Sequence, residues 1–547
     1  MRKFKKSLSI VLALVMILSL IGCGATNESP EKTTGEEVEE KSEETSNETS
    51  EEDVDATSQA SKQTGDYELI KLEETEPTKE KETEQTYDVV IIGAGGAGFT
   101  AAISAAENGA SVVLLEQEAK VGGNTRWSGA GLDIPENWVQ EKKGIEDSKE
   151  LYKEDMFKGG DGTNIKELVD VLAKNALPTA KWLRDDVGVE FMEDFQKHFG
   201  GHSVARAIVV KGGVGSQMIV KELDRAKELG VAVKTHTKAE DLIENEEGKV
   251  TGVKAVNSLG QDLTFNANKG VVIASGGFAG NVDMRTEYRP ELDENVGTTN
   301  TPGHNGDGIV MAEKLGADTT HMKFIQTYPF CFPTSGKISF VADTRMYGAP
   351  MINIDGKRFV NENDRRDVVA QSILAQPDGY GYMVWDEAIL KEAKTMELYG
   401  DEFNQLVEDE VLVKADTLDE AADFFGINKK EMNNTITQYN EYAEDFLNGT
   451  DPKKADKTWN RKAKLAKIDE GPFYIQQVIP SVHHTMGGLV IDEVGRVKDT
   501  EGNPIAGLYA AGEVVGGIHG NNRLGGNALT DISVFGKIAG ESAAKMK

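Results

Sequence analysis

Apolar residues are spread very unevenly along the chain. Leu8 to Ile21 is an almost unbroken apolar run behind a basic start, Arg2, Lys3, Lys5 and Lys6. Thr26 to Thr86 has no apolar period and only one aromatic, Tyr67. The pattern changes at Tyr87. Tyr87-Asp88-Val89-Val90-Ile91-Ile92 is apolar over a strand's length, as in a parallel strand covered on both faces. Ala-rich Phe99 to Asn108 predicts a helix ended by Gly109, and Ser111 to Glu116 a second strand closing on an acid. Val271 to Ile273 predicts another strand, running into Ala274-Ser275-Gly276-Gly277. Between 386 and 470 the chain turns charged, with helices predicted over Leu418–Phe425 and Lys429–Leu447.

Composition sharpens this division. The 547 residues carry a net charge of −32, which argues against nucleic acid as a partner. Thr26 to Thr86 holds 21 acidic and 6 basic residues. Such a segment cannot bury enough apolar surface to offset its ordering entropy, so residues 23–86 read as a disordered acidic tether. Two cysteines exclude a disulfide scaffold and a Cys-ligated zinc or iron–sulfur site, and no metal site is predicted. No C-x-x-C-H occurs, so no haem is attached covalently. Cys331 reads as a buried thiol.

The basic start and apolar run have the form of an export signal over residues 1–22. Leu20-Ile21-Gly22-Cys23 resembles the bacterial lipobox. The resemblance implies lipidation at Cys23, with the exported protein anchored to the outer face of the cytoplasmic membrane.

Gly93-Ala94-Gly95-Gly96-Ala97-Gly98 follows the first strand directly and fits G-x-G-x-x-G. Gly93 makes the tight turn, Gly95 lets the backbone approach a pyrophosphate, and Gly98 lets helix and strand pack closely. The helix amino terminus offers free N–H groups to phosphates. Glu116, 18 residues past Gly98, is placed for a ribose hydroxyl. Strand, glycine turn, helix, strand and acid together predict a dinucleotide site. With Val121-Gly122-Gly123-Asn124-Thr125, the Val271–Gly277 segment and Gly507-Leu508-Tyr509-Ala510-Ala511-Gly512-Glu513, the chain resembles the large FAD-dependent oxidoreductases. The Gly512-Glu513 turn there approaches the flavin.

Further blocks narrow the resemblance. They are Asn300 to Gly308, Gly356-Lys357-Arg358-Phe359-Val360-Asn361-Glu362, His483-His484-Thr485-Met486-Gly487-Gly488, and His519 to Ala528. In this order they resemble the flavoprotein of the soluble fumarate reductase family, which includes urocanate and related enoate reductases. The implied fold is α/β: a Rossmann-like FAD-binding domain, 87–325 plus 480–547, with an inserted α+β capping (clamp) domain, 326–479. The implied cofactor is non-covalent FAD. The resemblance assigns it Gly93, Ala94, Gly95, Ala97 and Gly98 of the first turn, and Glu116, Gln117, Asn124, Thr125 and Gly131 beyond it. Ala239, Ala274, Gly276 and Asp307 follow, then Gly512, Glu513, Ala528 and Leu529. The family's haem domain is absent, as is any D-x-x-[ST]-G-A-[ST] stretch for covalent FMN. Electrons must therefore come from an external donor, a flavinylated or cytochrome-type envelope protein.

The implied reaction is reduction of the C=C bond of an α,β-unsaturated carboxylate. A hydride passes from reduced FAD N5 to the β-carbon and a proton to the α-carbon. Cations aimed at the substrate carboxylate stabilise the developing charge. The resemblance gives that place to Arg523 and His484, beside Gly526, and matches Arg366 to the proton donor. Arg345 fits the second Arg of its relay, and Arg365 reads as a surface charge. Where family fumarate reductases carry a His before Pro, this chain has Tyr328 before Pro329. Where they carry Thr-Glu it has Val341-Ala342, with Asp343 one step later. Losing a cation and gaining a phenol disfavours a dicarboxylate. Tyr328 can stack on a flat ring. Asp343 either accepts a ring N–H or serves the relay.

Urocanate, carried by the Tyr and Asp, heads the substrates. The urocanate branch has a second acid near Gly129-Ala130-Gly131, where this chain places Leu132, with Asp133 beside it. An apolar wall at Leu132 suits an aryl-acrylate, and fumarate follows. Two other classes remain: a ketosteroid dehydrogenase or reductase, which has no use for converging arginines, and a non-catalytic ligand-binding lipoprotein, which needs no dinucleotide site.

Overall fold

The computed structural model describes residues 70–461 and 463–546. The export signal, Cys23 and the tether as far as residue 69 lie outside the described residues.

The apolar run after the tether forms the strand Glu84–Ile92 at the centre of a twisted sheet. Val112–Leu115 pairs with it in parallel on one side and Asp262–Ile273 on the other. Ala232–Lys234 and Pro504–Ala510 extend the sheet outward, both in parallel. The register is set so that Leu115, Ile92, Ile273 and Ala510 end side by side. From the central strand the chain runs to the neighbours on one side, and only later returns to pair on the other. Such a switch point opens a crevice beyond the carboxyl ends of the strands, where ligands of doubly wound sheets bind. The helices Gly96–Glu107 and Asn527–Lys545 pack together against the sheet, and a Cβ on Gly536 or Gly540 would strike the first helix.

The body begins upstream of Tyr87. The first strand starts at Glu84, and residues 70–83, expected as tether, lie along the body. Ile70 N–H donates to Gln217, Thr75 N–H to the Ala119 carbonyl, and Glu80 N–H to Gln261. Backbone hydrogen bonds dock this segment, so its polar composition did not reveal it.

Buried side chains form two cores. One fills the parallel sheet and its helices, and the other runs from Tyr328 to Val478 under an antiparallel sheet. The helices Leu418–Phe425 and Lys429–Leu447 lie in the second unit as predicted. The molecule is thus a Rossmann-like FAD-type domain with an inserted capping domain. Two paired strands, Ile325–Cys331 and Phe473–Thr485, pass from one core to the other. Ile325 and Val482 belong to the first core, Tyr328 and Val478 to the second. The domains therefore join through continuous strands. A third, small antiparallel sheet pairs Gly131–Asp133 with Ala207–Val210, and that strand with Phe191–Lys197.

Candidate active site

One cavity runs from the ends of the parallel strands to the inner face of the capping domain. At its sheet end the glycine turn does what its spacing predicts. A Cβ on Gly98 would sit 1.8 Å from the Gly93 carbonyl oxygen, so only glycine lets the helix approach this closely. Gly95 caps the helix without a side-chain bond, and the space at its Cβ position is open. The first turn of the helix therefore faces the cavity and suits a pyrophosphate. Glu116 is buried there and accepts the N–H groups of Ala94 and Glu118, at 3.0 and 2.9 Å. Burial raises its carboxyl pKa.

Most cofactor positions assigned by resemblance line this cavity: Gly93, Gly95, Ala97, Glu116 and Gln117 from the first unit, then Asn124, Thr125 and Gly131. Ala239, Ala274, Gly276 and Asp307 line its middle, and Glu513, Ala528 and Leu529 its far wall. Ala94, Gly98 and Gly512 stand behind the lining. Gly512 has φ +79°, and a Cβ there would press on Ala97 at 2.9 Å. The glycine cradle, the buried acid and the open helix end fit an FAD.

The capping end gathers the charged residues. Arg523 is buried; its Nη2 donates to Gln326 Oε1 at 3.1 Å and its Nη1 to the Leu524 carbonyl at 3.2 Å. Its Nε has no partner among the described residues. Burial, reinforced by Arg366, pulls its pKa down to about 9. Arg366 opens the helix Arg366–Leu374, with its guanidinium 4.9 Å from the Tyr328 ring centre. Burial first, and Arg345 next among the opposing cations, lower its pKa. A cation in a helix's first turn is also disfavoured by the dipole. Neither Arg523 nor Arg366 pairs with a carboxylate among the described residues.

Arg345, by contrast, is paired: its Nη1 donates to Asp343 Oδ1 at 2.5 Å. Both lie on the short turn of helix Val341–Tyr347. Glu402 pins the start of that turn, accepting the Val341 and Phe340 N–H groups at 3.0 and 3.2 Å and the Ser339 hydroxyl at 2.7 Å. Burial pushes the Glu402 pKa up to about 7. Buried Arg461 donates to the Arg345 and Ala349 carbonyls and to Glu362, which also binds Arg358. The Arg358 block is thus an ion cluster supporting the turn.

His484 Nδ1 stands 3.3 Å from Glu513 Oε2. Glu513 is ionised, its pKa lowered to about 2 beside His484 and His304. Burial, followed by Arg523, outweighs Glu513 and lowers the His484 pKa. The neutral ring therefore carries its proton on Nδ1, and Nε2 becomes a donor only when the ring is protonated.

Two expectations change. Leu132 is packed in the core, and neither its side chain nor that of Asp133 lines the cavity. In a three-residue strand buried on both faces, alternation could not say which side meets the cavity. Asp133 lies under Gly526, where a Cβ would meet its Oδ2 at 2.1 Å, and pairs with His202 Nε2 at 3.0 Å. Arg365 is no loose surface charge. It bridges Asp161 of the first domain and Asp367, each at 2.6 Å, because the fold brings the start of its helix against that loop. Cys331 is buried as expected, and its thiol pKa is pushed up to about 12.

The cavity also exposes Lys197, Phe199 and Phe340, which no motif marked, and His483, to which no role was assigned. His483 sits 5.3 Å from Tyr328, ring centre to ring centre. Its doublet with His484 was visible in the sequence; Lys197 and Phe199 lie in a stretch without a motif.

Comparison with known proteins agrees with this architecture. Residues 88–529 match the FAD binding domain family. The chain is 42% identical over 462 residues to the urocanate reductase of Eggerthella lenta, covering 84% of this chain and 75% of that one. It is 35% identical to the fumarate reductase (cytochrome) of Shewanella frigidimarina, covering 84% and 77%. Its fold is similar to the open conformation of a flavocytochrome c3 fumarate reductase, with a TM-score of 0.72, 34% identity, and 84% and 78% of the two chains covered. The glycine cradle, the capping domain and these relatives together make the chain a member of the FAD-dependent fumarate and urocanate reductase family of oxidoreductases.

Proposed function

We propose that the protein reduces the C=C bond of an α,β-unsaturated monocarboxylate bearing a flat ring, urocanate first and aryl-acrylates second. The observation that carries this reading is the pair of guanidiniums, Arg523 and Arg366, that meet no carboxylate among the described residues inside one cavity. They call for an anion from outside. Reduced FAD, when bound, supplies the hydride for the β-carbon.

Arg523 grips the substrate carboxylate in a planar fork. His484, protonated as the anion arrives, donates a second hydrogen bond from Nε2. These cations hold the charge that develops on the carboxylate. Arg366 gives its proton to the α-carbon. Its lowered pKa makes it a stronger acid than an ordinary guanidinium. Arg345, held in place by Asp343, returns the proton. Tyr328 offers a ring face and one hydroxyl where a dicarboxylate would need a cation. The buried wall around Tyr328 favours a ring over a second charge.

A panel of enoates with reduced methyl viologen as donor, followed by product analysis, tests the reading. Saturated acids from urocanate or a cinnamate are expected; no turnover of any enoate refutes it. The same reading takes the natural donor to be an external flavinylated or cytochrome-type protein, and turnover of the lone chain with NADH would refute that. It takes the FAD to be non-covalent, released by acid precipitation. The signal-like start and Cys23 support an exported, lipid-anchored enzyme.

A further inference from the structure

Lys197 is a cavity cation that the reaction above leaves unused; Lys238, which also lines the cavity, is paired with Asp307. It ends the strand Phe191–Lys197, whose register sets it opposite Ala207, with Ala207 opposite Asp133. This places its ammonium in the cavity with Tyr328, Asp343 and Arg366. Its Nζ donates to the Gly129 carbonyl at 3.2 Å. No carboxylate forms an ion pair with it among the described residues. Burial lowers its pKa and the field of Asp343 opposes that. Asp343 already accepts from Arg345, so its second oxygen is what remains for a ligand. Phe199, Phe340 and Met346 line the walls between.

A monocarboxylate needs Arg523, His484 and Arg366. It does not need a further ammonium. The geometry points to Lys197 as a specificity-determining residue that donates to an acceptor atom on the substrate's ring, with Asp343 accepting from a donor there. A ring carrying both, such as a neutral imidazole or a phenol, fits this pair better than an unsubstituted phenyl ring. The inference rests on the enoate-reductase reading above and adds the substrate's far end.

The test compares the FAD-loaded wild type with Lys197→Met and Lys197→Arg on urocanate, 4-hydroxycinnamate and cinnamate. KM and kcat are measured with reduced methyl viologen, and binding to the oxidised protein by calorimetry. Losing a charged hydrogen bond predicts a rise of about 10-fold or more in KM and Kd for one or both ring-acceptor substrates in Lys197→Met. The values for cinnamate should change little, kcat should be nearly kept, and Lys197→Arg should recover part of the loss. Which of the two substrates responds tells ring nitrogen from phenol oxygen. An equal effect on all three substrates, or none on any, overturns the role of Lys197 while leaving enoate reduction intact. Failure of the wild type to reduce any of them overturns the reading beneath it as well.

Discussion

Arg523 and Gln326 hold each other by two hydrogen bonds. Arg523 Nη2 donates to Gln326 Oε1 at 3.1 Å, and Gln326 Nε2 donates to the Arg523 carbonyl at 2.8 Å. Gln326 Nε2 also donates to Asn522 at 2.5 Å. Gln326 sits on the strand that enters the capping domain, and pairs in register with His484. One amide therefore aims the guanidinium and ties it to the histidine's strand.

Gln326→Leu removes both bonds and leaves the Arg523 carbonyl without this donor. A buried polar group left unsatisfied costs about 1–3 kcal/mol. We expect kcat/KM for the best enoate to fall by roughly 10- to 100-fold on that basis, while the flavin spectrum stays that of wild type. Loss of bound flavin instead would mean that the amide serves the fold and not the aim of Arg523.

Arg366→Ala should abolish reduction of every substrate while FAD still binds, since the proton donor is common to all of them. Arg366→Lys keeps a charge but loses the guanidinium fork that lies over the Tyr328 ring, 4.9 Å from its centre. It should retain at most a small remnant. Stopped-flow oxidation of the reduced flavin by enoate reads the step directly. Wild-type rates in Arg366→Ala would remove Arg366 from the chemistry.

Local chemistry was legible in the sequence and distant pairing was not. The glycine turn and Glu116 announce themselves because they form a short run whose spacing carries its own geometry, and the His484 and Arg523 blocks are legible through their resemblance to the family's motifs. Phe191 to Lys197 carries no such run. Lys197 reaches the cavity only through pairing with Ala207, itself paired with Asp133, and Asp133 lies 64 residues earlier. Residues 70–83 escaped for the opposite reason. They bury little apolar surface and are held by backbone bonds to Gln217, Ala119 and Gln261. Glu402 is a further case, because nothing near it in sequence reveals that it caps the turn bearing Asp343 and Arg345.

Substrate binding should depend on pH through His484. In the free protein its pKa lies below the ordinary histidine value, so near neutrality the ring is uncharged. A bound carboxylate favours the charged ring and raises that pKa. Between the two values, binding takes up a proton. The Kd of the enoate should then rise with pH, by up to about tenfold per unit, and level off outside the window. His484→Gln should flatten the profile. A wild-type Kd that falls as pH rises would contradict the proton uptake.

The proposed lipidation of Cys23 can be tested apart from the fold. Cys23→Ser should move the protein from the membrane fraction to the medium without changing its flavin content. Unchanged fractionation would point to another anchor.

Tyr328 sets the last expectation, which concerns substrate choice. Its ring is buried, with Arg366 over it at 4.9 Å and Phe330 and His483 at its edges, 6.1 and 5.3 Å away. Of Tyr328 only the hydroxyl can serve a second carboxylate, and Lys197, bonded to the Gly129 carbonyl, stands in the field of Asp343, whose carboxylate would face that second charge. His483 gives little help: burial, then Arg523 and Arg366, hold its pKa well below the ordinary value, and its Nδ1 is engaged with Thr299 at 2.8 Å. A charged hydrogen bond contributes about 1.5–3 kcal/mol, or roughly 10- to 150-fold. The wild type should therefore turn over urocanate or a cinnamate faster than fumarate by a factor in that range. Tyr328→His should narrow the gap by restoring a donor of the right size, and Tyr328→Phe should widen it. Faster reduction of fumarate than of both ring substrates by the wild type would remove Tyr328 as the selector, and would leave the shared machinery of Arg523 and Arg366 untouched.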